Sequence, residues 1–207
     1  MLRKKSAKRS HRIFLNAGCG LLSRGRFPQF LRKWKQIRVD VDPGVKPDIV
    51  ANIADLSAIP DGKVDVVWAA HCVEHLYAHQ VPHAFAEFRR VLCETGFACI
   101  IVPDLQAIAH FIATDRLHET IYESPAGPVT GHDMVWGFGE AIARGKTTMA
   151  HHCGFAPTLL LQYLKEAGFA EIVLRRRTHH LELAAVALKR PLTSSERRTS
   201  LMAKLGL

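Results

Sequence analysis

A buried strand that runs directly into a glycine turn limits the folds open to this chain more than any other segment. Residues 13–17 read IFLNA, and residues 18–20 read GCG. A backbone that turns sharply at the end of a strand, and leaves room for a ligand across it, needs residues without side chains. By itself a Gly-x-Gly turn is equally consistent with an ordinary tight turn, so its weight depends on the neighbouring strand.

An acidic residue closes that next apolar strand. Asp40 comes about 20 residues after the glycines, the spacing at which nucleotide-binding α/β folds place the acid that holds ribose hydroxyls. Asp42 is the competing choice, because it lies two residues on and points the same way along a strand. Together, the glycine turn and the acid indicate a nucleotide-binding α/β fold.

Short apolar runs then alternate with helical patterns, which is typical of a parallel sheet built from βαβ units. Two helices are predicted, at His83–Leu92 and Pro157–Ala167. Strands are predicted at Arg12–Leu15, Ile37–Val41, Ile49–Ala51, Val64–Ala69, Phe97–Val102, Ala170–Arg176 and Leu181–Leu188. Only a few residues separate the last two strands, so these should pair as an antiparallel hairpin.

The length of 207 residues, with 48% hydrophobic content, is enough for one core and short for two. We therefore expect a single domain over 12–190, with a basic N-terminal tail at 1–11 and a C-terminal tail at 191–207. Residues 104–155 break the alternation and predict a long insertion after the fifth strand. Insertions of this length commonly form a lid or a substrate wall.

Four segments carry a family resemblance when they are taken in order: LNAGCG, VDVDP, VDVVWAAHCVEHL and FRRVLCETGFACIIVPD. In this spacing the chain resembles class I S-adenosylmethionine-dependent methyltransferases, specifically the small bacterial group described as type 11, over about residues 12–189. The resemblance implies a methyltransferase whose cofactor is S-adenosyl-L-methionine. It also implies a Rossmann-like, mostly parallel sheet of seven strands with an antiparallel last strand and helices on both faces.

The resemblance also implies positions for the cofactor. Its methionine and ribose part would lie on the glycine turn, its ribose hydroxyls on Asp40, and its adenine beside Asn52 and Ile53. The full predicted set is Asn16, Ala17, Gly18, Cys19, Gly20, Asp40, Val41, Asn52, Ile53, Ala70 and His71.

Three residues depart from the family pattern. Asn16 and Asn52 stand where carboxylates are frequent, and Leu22 stands where a third glycine is frequent. Loss of charge-assisted hydrogen bonds should weaken cofactor binding by about 1–2 kcal/mol for each position. These departures motivate an alternative, in which the domain binds a ligand without catalysing methyl transfer.

Methyl transfer from a sulfonium is an in-line displacement, so the protein mainly orients the acceptor and excludes water. A hydroxyl acceptor would also need a base. The candidate catalytic residues are His71, His75, Asp104, His132 and His151, with His152 beside them. For each of these, a purely structural role is the alternative.

Two rival enzyme classes share parts of the pattern. The segment His71-Cys72-Val73-Glu74-His75 matches the inverted zinc-protease motif, but both histidines would have to lie on one helix, and His71 follows a strand directly. We therefore predict no metal ligands here. A dinucleotide dehydrogenase would place its third glycine at position 23, which is Ser23.

Composition bounds the partners. The formal net charge is +9, and basic clusters outside the tail weakly favour an acidic acceptor. Nucleic acid is an alternative that we do not favour, because charge runs are commonly solvated faces. The acceptor itself and the oligomeric state are not encoded in any motif.

No apolar run reaches membrane-spanning length, and five cysteines without paired spacing predict a reduced, cytoplasmic protein.

Overall fold

The computed structural model describes residues 11–21 and 27–206, and a sheet of seven strands forms its centre. In space the strands follow the order β3-β2-β1-β4-β5-β9-β8. Their bounds are β1 Ile13–Ala17, β2 Lys35–Asp40, β3 Ile49–Val50, β4 Val64–Ala70, β5 Leu92–Pro103, β8 Glu171–Arg177 and β9 Glu182–Leu188. A separate hairpin consists of β6 Thr120–Ser124 and β7 Gly127–Thr130.

Strand β9 is antiparallel to both of its neighbours, whereas β1 to β5 pair in parallel. The seven-stranded, mostly parallel sheet with an antiparallel last strand is therefore confirmed, as is the closing hairpin. All residues of β1 and β9 are buried, which explains why both strands read as nearly continuous apolar runs.

Strand order reverses at β1, which lies between β2 on one side and β4 on the other. In open α/β sheets, ligands bind in the crevice at such a switch point, outside the carboxyl ends of the strands. The glycine turn follows β1 at this end of the sheet, so the fold places it where a ligand is expected.

Helices cover both faces of the sheet, as predicted. One face packs against α1 Val81–Val91 and α5 Pro157–Glu166, through residues such as Phe85, Phe88 and Leu160. Proline near the start of each helix fits the first turn, where its missing N–H costs nothing.

The second face is covered in part by α6 Ser195–Leu205, inside the segment that the sequence predicts to be a peripheral tail. Met202 is buried in a cluster that includes Phe14 and Trp68. The segment predicted to be a C-terminal tail therefore contains a helix that packs against the sheet. Its apolar residues are few and most of its surface is charged, so its periodicity is weak until the sheet supplies a partner.

The insertion after β5 contains more structure than its sequence pattern predicts. It holds α2 Leu105–Ala113, the β6–β7 hairpin, and the short helices α3 Gly131–Trp136 and α4 Gly139–Ala143. These elements share a small core around Ile108, Val129 and Met134. Elements this short carry too few turns for a readable period, so the sequence shows only the interruption.

Within the described part of the chain, no helix is both long and apolar enough to cross a membrane.

Candidate active site

A cavity of about 1140 Å³ opens at the carboxyl ends of the parallel strands. One side, which we call the glycine wall, is formed by residues after β1, β2 and β3: Gly18, Cys19, Gly20, Asp40 and Asn52. A second part of the lining, which we call the insertion wall, is formed by Tyr122, Ser124, Met149 and His152 of the insertion, joined by Arg177 of β8 and Glu182 of β9. Small-molecule sites usually measure about 300–1,000 Å³, so this cavity has room for a nucleotide and a second ligand.

The glycine turn adopts a conformation that requires glycine. Gly18 and Gly20 have φ angles of +61° and +54°. A methyl group on Gly18 would overlap Cβ of Cys72, because the turn after β1 packs directly on the turn after β4. A methyl group on Gly20 would meet open space. Gly18 therefore serves close packing, while Gly20 keeps the cavity surface bare.

The carboxylate of Asp40 fastens the glycine turn. Its Oδ2 accepts the N–H of Gly20 at 2.8 Å, and its Oδ1 accepts the N–H of Asp42 at 3.0 Å. A carboxylate has about four acceptor sites, so each oxygen can accept one further hydrogen bond from a ligand. Asp42 instead caps a short helix through Gly44 and is absent from the cavity lining among the described residues. Of the two acids, the structure puts Asp40 at the cavity.

Arg38 lines the cavity and is a residue that none of the sequence motifs indicates. Its side chain is buried in β2, and its guanidinium donates to the carbonyl oxygens of Gly20, Val45 and Lys46 at 2.5–2.9 Å. These bonds tie the glycine turn to the loop after β2. A basic residue inside an apolar strand was the available signal, because a buried arginine must find acceptors.

The predicted cofactor residues converge on the cavity with one exception. Ala17 is fully buried in β1 and lies behind the surface, whereas the others line it. Asn16 is buried at the cavity floor, so an amide occupies the position where a carboxylate is frequent. Asn52 uses Oδ1 to accept the N–H of Ala54, which leaves its amide N–H groups for other partners. Leu22 and Ser23 lie outside the described residues, as does the tail up to residue 10.

A charged cluster joins the glycine wall to the insertion wall. His71 follows β4 with a φ of +52°, a conformation that is strained for a residue with a side chain. Its Nε2 lies 3.0 Å from Oε1 of Glu182, and its Nδ1 lies 3.5 Å from Oε1 of Glu74. Arg177 pairs with the other oxygen of Glu182 at 2.8 Å. Glu74 and Glu182 are both buried, so the cations on the cavity side neutralise them.

This arrangement changes the role open to His71. Burial opposes its charged form, but pairing with the carboxylates of Glu182 and Glu74 outweighs burial and raises the pKa of His71 to about 10. At neutral pH the ring therefore holds both protons and has no lone pair with which to act as a base. The structure favours His71 as a cationic clamp rather than as a general base.

The remaining base candidates separate into two groups. His75 and His152 line the cavity, the latter stacked on Tyr77 with ring centroids 4.3 Å apart. Asp104, His132 and His151 are not among the described lining residues. Asp104 is buried, caps α2 through the N–H groups of residues 106 and 107, and pairs with Arg176. As a proton acceptor from a ligand in this cavity, Asp104 is therefore excluded by its position.

His132 is an exposed residue of α3 whose ring lies against Trp136. The ring of His151 contacts the backbone of α3, because its Nδ1 lies 3.1 Å from the carbonyl oxygen of Met134. Both residues come from the insertion, whose sequence gives no period by which their directions could be predicted. Neither meets the cavity directly.

The zinc-protease interpretation fails on geometry. Strand β4 ends at Ala70, and only a short 3-10 helix follows at Val73–His75. His71 and His75 are therefore not on one helical face, and His71 is engaged by two carboxylates.

Comparison with known proteins agrees with the fold. Residues 15–100 match the family model described as a methyltransferase domain. No curated protein sequence matches the chain. Among solved structures, an S-adenosylmethionine-dependent methyltransferase from Archaeoglobus fulgidus superposes with a TM-score of 0.56 at 16% identity, covering 86% of each chain.

Two further solved structures give the same result. A methyltransferase from Methanosarcina mazei has a TM-score of 0.54 at 15% identity, covering 89% of this chain and 95% of its own. One from Thermotoga maritima has a TM-score of 0.54 at 13% identity, covering 88% of this chain and 83% of its own. At such identities these likenesses establish the fold, which is that of class I methyltransferases.

Proposed function

We propose that this chain, whose residues 15–100 match the methyltransferase-domain family model, transfers the methyl group of S-adenosylmethionine to an acceptor bound in the same cavity. The acceptor that fits best is a small molecule, such as a saccharide or lipid precursor. The cavity has room for one beside a nucleotide but is partly enclosed by the insertion wall.

The single observation that carries this proposal is the pairing of the glycine turn with Asp40. The N–H of Gly20 and the carboxylate of Asp40 are joined at 2.8 Å, so one ligand can cross the bare backbone and reach the acid. Gly20 leaves no side chain in the way, since a Cβ there would stand in the open space of the cavity surface. This is the arrangement that a nucleoside with free ribose hydroxyls requires.

The residues present fit the cofactor. Asp40 would accept from the ribose hydroxyls, Gly18 and Gly20 would pass under the sugar and methionine part, and Asn52 and Ile53 would meet the adenine. Val41 is 46% exposed although it is apolar, which suits a residue that a flat aromatic ring would cover. Asn16 can still accept a hydrogen bond from the methionine ammonium through its amide oxygen, without a full charge.

When bound, the cofactor supplies an electrophilic methyl group, and the chain's own task is to hold an acceptor in line with it. We assign that task to the insertion wall, where His152, Tyr122 and Arg177 face the cavity. His75, His152 and His180 line the cavity beside His71, and His75 and His152 are our candidates for taking the proton of a hydroxyl acceptor. The acceptor's chemical class is also shaped by the His71 and Arg177 cations, which favour an acceptor that carries acceptor oxygens or negative charge.

Calorimetric titration with S-adenosylmethionine and S-adenosylhomocysteine tests the proposal directly. We expect saturable one-to-one binding by the wild type, and binding weaker by about 10- to 100-fold in Asp40→Asn, where a charge-assisted bond becomes neutral. Asp42→Asn is the matched control, because that acid caps a helix away from the cavity, and it should bind as the wild type does. No binding by the wild type, or equal losses in both variants, would refute the proposal.

One observation supports a second function, binding without transfer. Asn16 places a neutral amide at the cavity floor, where a carboxylate would hold the cofactor ammonium more firmly. One measurement distinguishes the two functions. An enzyme supplied with S-adenosylmethionine and a mixture of acceptors would release S-adenosylhomocysteine, whereas a binding protein would not. Cofactor binding without any release across oxygen, nitrogen and carbon acceptors would favour the binding role.

We place the activity in the cytoplasm. All five cysteines are unpaired, and Cys72 and Cys99 are buried where burial raises their thiol pKa. Free thiols in this number suit a reducing compartment.

A further inference from the structure

Three side chains beside the cavity form a cluster of which the methyl-transfer proposal uses only one, His75. Glu74 and His75 belong to the 3-10 helix after β4, and His151 comes from the end of the insertion. One ligand atom from each of the three residues lies within 4.8 Å of the others. The chain brings these groups together across 76 residues of sequence separation between His75 and His151, so local structure alone does not explain the cluster.

The carboxylate of Glu74 is the feature that points to a ligand. Its side chain is 1% exposed, and neither oxygen accepts a hydrogen bond from any described residue. The nearest cation, Nδ1 of His71, is 3.5 Å from Oε1, which is an ion-pair distance rather than a hydrogen bond. His71 offsets the charge of this carboxylate, but a buried carboxylate without a hydrogen-bond donor is costly, so both oxygens of Glu74 are open to a further ligand.

Both histidines are oriented as metal ligands usually are. Nδ1 of His75 lies 3.0 Å from the carbonyl oxygen of Ala150, and Nδ1 of His151 lies 3.1 Å from that of Met134. Since a carbonyl only accepts, each Nδ1 must carry the hydrogen, which leaves Nε2 of the neutral ring with a lone pair. A ring N–H held by a backbone carbonyl is the outer-shell contact that orients ligating histidines in metalloproteins.

We propose that Glu74, His75 and His151 bind a divalent transition-metal ion at the wall of the cavity. Two imidazoles and one carboxylate are a donor set that suits Zn²⁺ and its neighbours, whereas Mg²⁺ and Ca²⁺ prefer oxygen ligands alone. Metal–ligand bonds of about 2.0–2.2 Å let one ion join atoms up to about 4.4 Å apart, so small side-chain rotations close the present cluster. The sequence analysis predicts no metal ligands in the segment from His71 to His75, whereas the proposed site takes Glu74 and His75 from that segment and His151 from the insertion.

The three ligands leave at least one position of the ion free, and His75 also lines the cavity. The ion therefore lies beside the space that would hold the acceptor. The metal site itself does not depend on the proposed methyl transfer, because it rests on these three side chains alone.

The test is a calorimetric titration of the full chain, first stripped with a chelator, with Zn²⁺, Mn²⁺ and Mg²⁺ separately. We expect one Zn²⁺ per chain, binding tighter than Mg²⁺, and a rise in melting temperature on addition of Zn²⁺. His151→Gln should weaken Zn²⁺ binding by about 100-fold or more, the upper end of what even outer-shell changes cost. Glu74→Gln should do the same.

His132→Gln is the matched control, since it makes the same substitution in the same insertion at an exposed ring outside the cluster. Both His132→Gln and His151→Gln keep every cysteine. If only His151→Gln loses Zn²⁺ binding, the ion is therefore bound by the cluster and not by cysteine thiols. If Glu74→Gln does not fold, His151→Gln alone decides the outcome.

Three results would overturn the proposal: no Zn²⁺ binding by the wild type, equal affinity in His151→Gln and His132→Gln, or tighter binding of Mg²⁺ than of Zn²⁺. S-adenosylmethionine binding is measured in a separate titration without metal. A failure of the metal site therefore leaves the proposed function standing, and the reverse also holds.

Discussion

The glycine wall of the cavity is made largely of backbone, whereas the insertion wall is made of side chains that come from far apart in the sequence. On the glycine wall, two glycines, one acid and the buried Arg38 fix the path of the chain through short hydrogen bonds. On the insertion wall, Tyr122 and Glu182 meet only because a hairpin and the last strand reach the same edge of the sheet. Hydrogen bonds thus fix the backbone of the glycine wall, whereas the insertion wall consists of side chains that can be substituted singly.

Substitutions on the two walls should therefore act on different properties. Changes to the glycine wall should alter folding stability and cofactor affinity together, because one backbone arrangement serves both. Changes to the insertion wall should alter charge and acceptor contacts while the fold and the cofactor affinity stay nearly constant.

The largest effect is expected from Gly18→Ala. The added methyl group overlaps Cys72, and the residue must keep a φ of +61°, so the free energy of unfolding should fall by about 3 kcal/mol. Gly20→Ala shares the positive φ but meets open space, so it should cost only about 1 kcal/mol while still weakening cofactor binding. Urea denaturation and calorimetry measure both quantities. Equal losses of stability in the two variants would contradict the assignment of Gly18 to packing and of Gly20 to the cavity surface.

A smaller loss is expected from Arg38→Met. The substitution keeps an apolar stem but leaves three carbonyl oxygens without their donor, which should cost about 2–3 kcal/mol and weaken cofactor binding as the glycine turn loosens. Arg89→Met is the control, because Arg89 is only partly buried, is not among the described lining residues of the cavity, and donates to one carbonyl, that of Gly168. It should cost less than about 1 kcal/mol. Unchanged cofactor affinity in Arg38→Met would show that the turn does not need this anchor.

A pH-dependent effect is expected at the junction of the walls, in metal-free protein. The pKa of His71 is raised from 6.5 to about 10 in the folded state, so its bound proton stabilises the fold fully below pH 6.5. That contribution is lost as the pH rises toward 10. His71→Asn tolerates the positive φ and removes the titrating group. The difference in urea midpoint between wild type and variant should therefore shrink from pH 6.5 to pH 10. A constant difference would contradict the pairing of protonated His71 with Glu182 and Glu74.

The smallest effect is expected from Tyr122→Phe. It removes one hydroxyl from the insertion wall, a group whose pKa is raised to about 12 by burial. Stability should change by less than about 0.5 kcal/mol, and cofactor affinity should stay within about twofold. Calorimetric titration checks this, and a cofactor affinity reduced more than about fivefold would show that the cofactor reaches the insertion wall.

Much of the glycine wall was predictable from the sequence because its signals are local. The strand into GCG and the acid at the end of β2 are each set by a few adjacent residues, and the parallel sheet brings consecutive strand ends together. Arg38 was missed because a basic residue in an apolar run gives no indication of which carbonyl oxygens it will meet. Asp40 and Asp42 could not be separated until their hydrogen bonds were known.

Less of the rest could be predicted, for a related reason. The insertion and α6 lack a strong period, and each is stabilised by contact with the sheet rather than by its own pattern. His151 was a candidate base by residue type, yet its ring joins Glu74 and His75 instead of the cavity. The sequence showed the residue type at position 151, but it did not show in which direction the side chain would point.

The order of strands and helices, the glycine turn and the acid across from it are encoded in the amino-acid sequence, because they depend on periodicity and on the conformations open to glycine. Which charged and polar groups pair is settled by the packed fold, as in His71 between the buried Glu74 and Glu182, and Glu74 beside His75 and His151. Burial and pairing of polar groups are long-range properties, since they are set by how sheet, hairpin and insertion pack and not by any one segment.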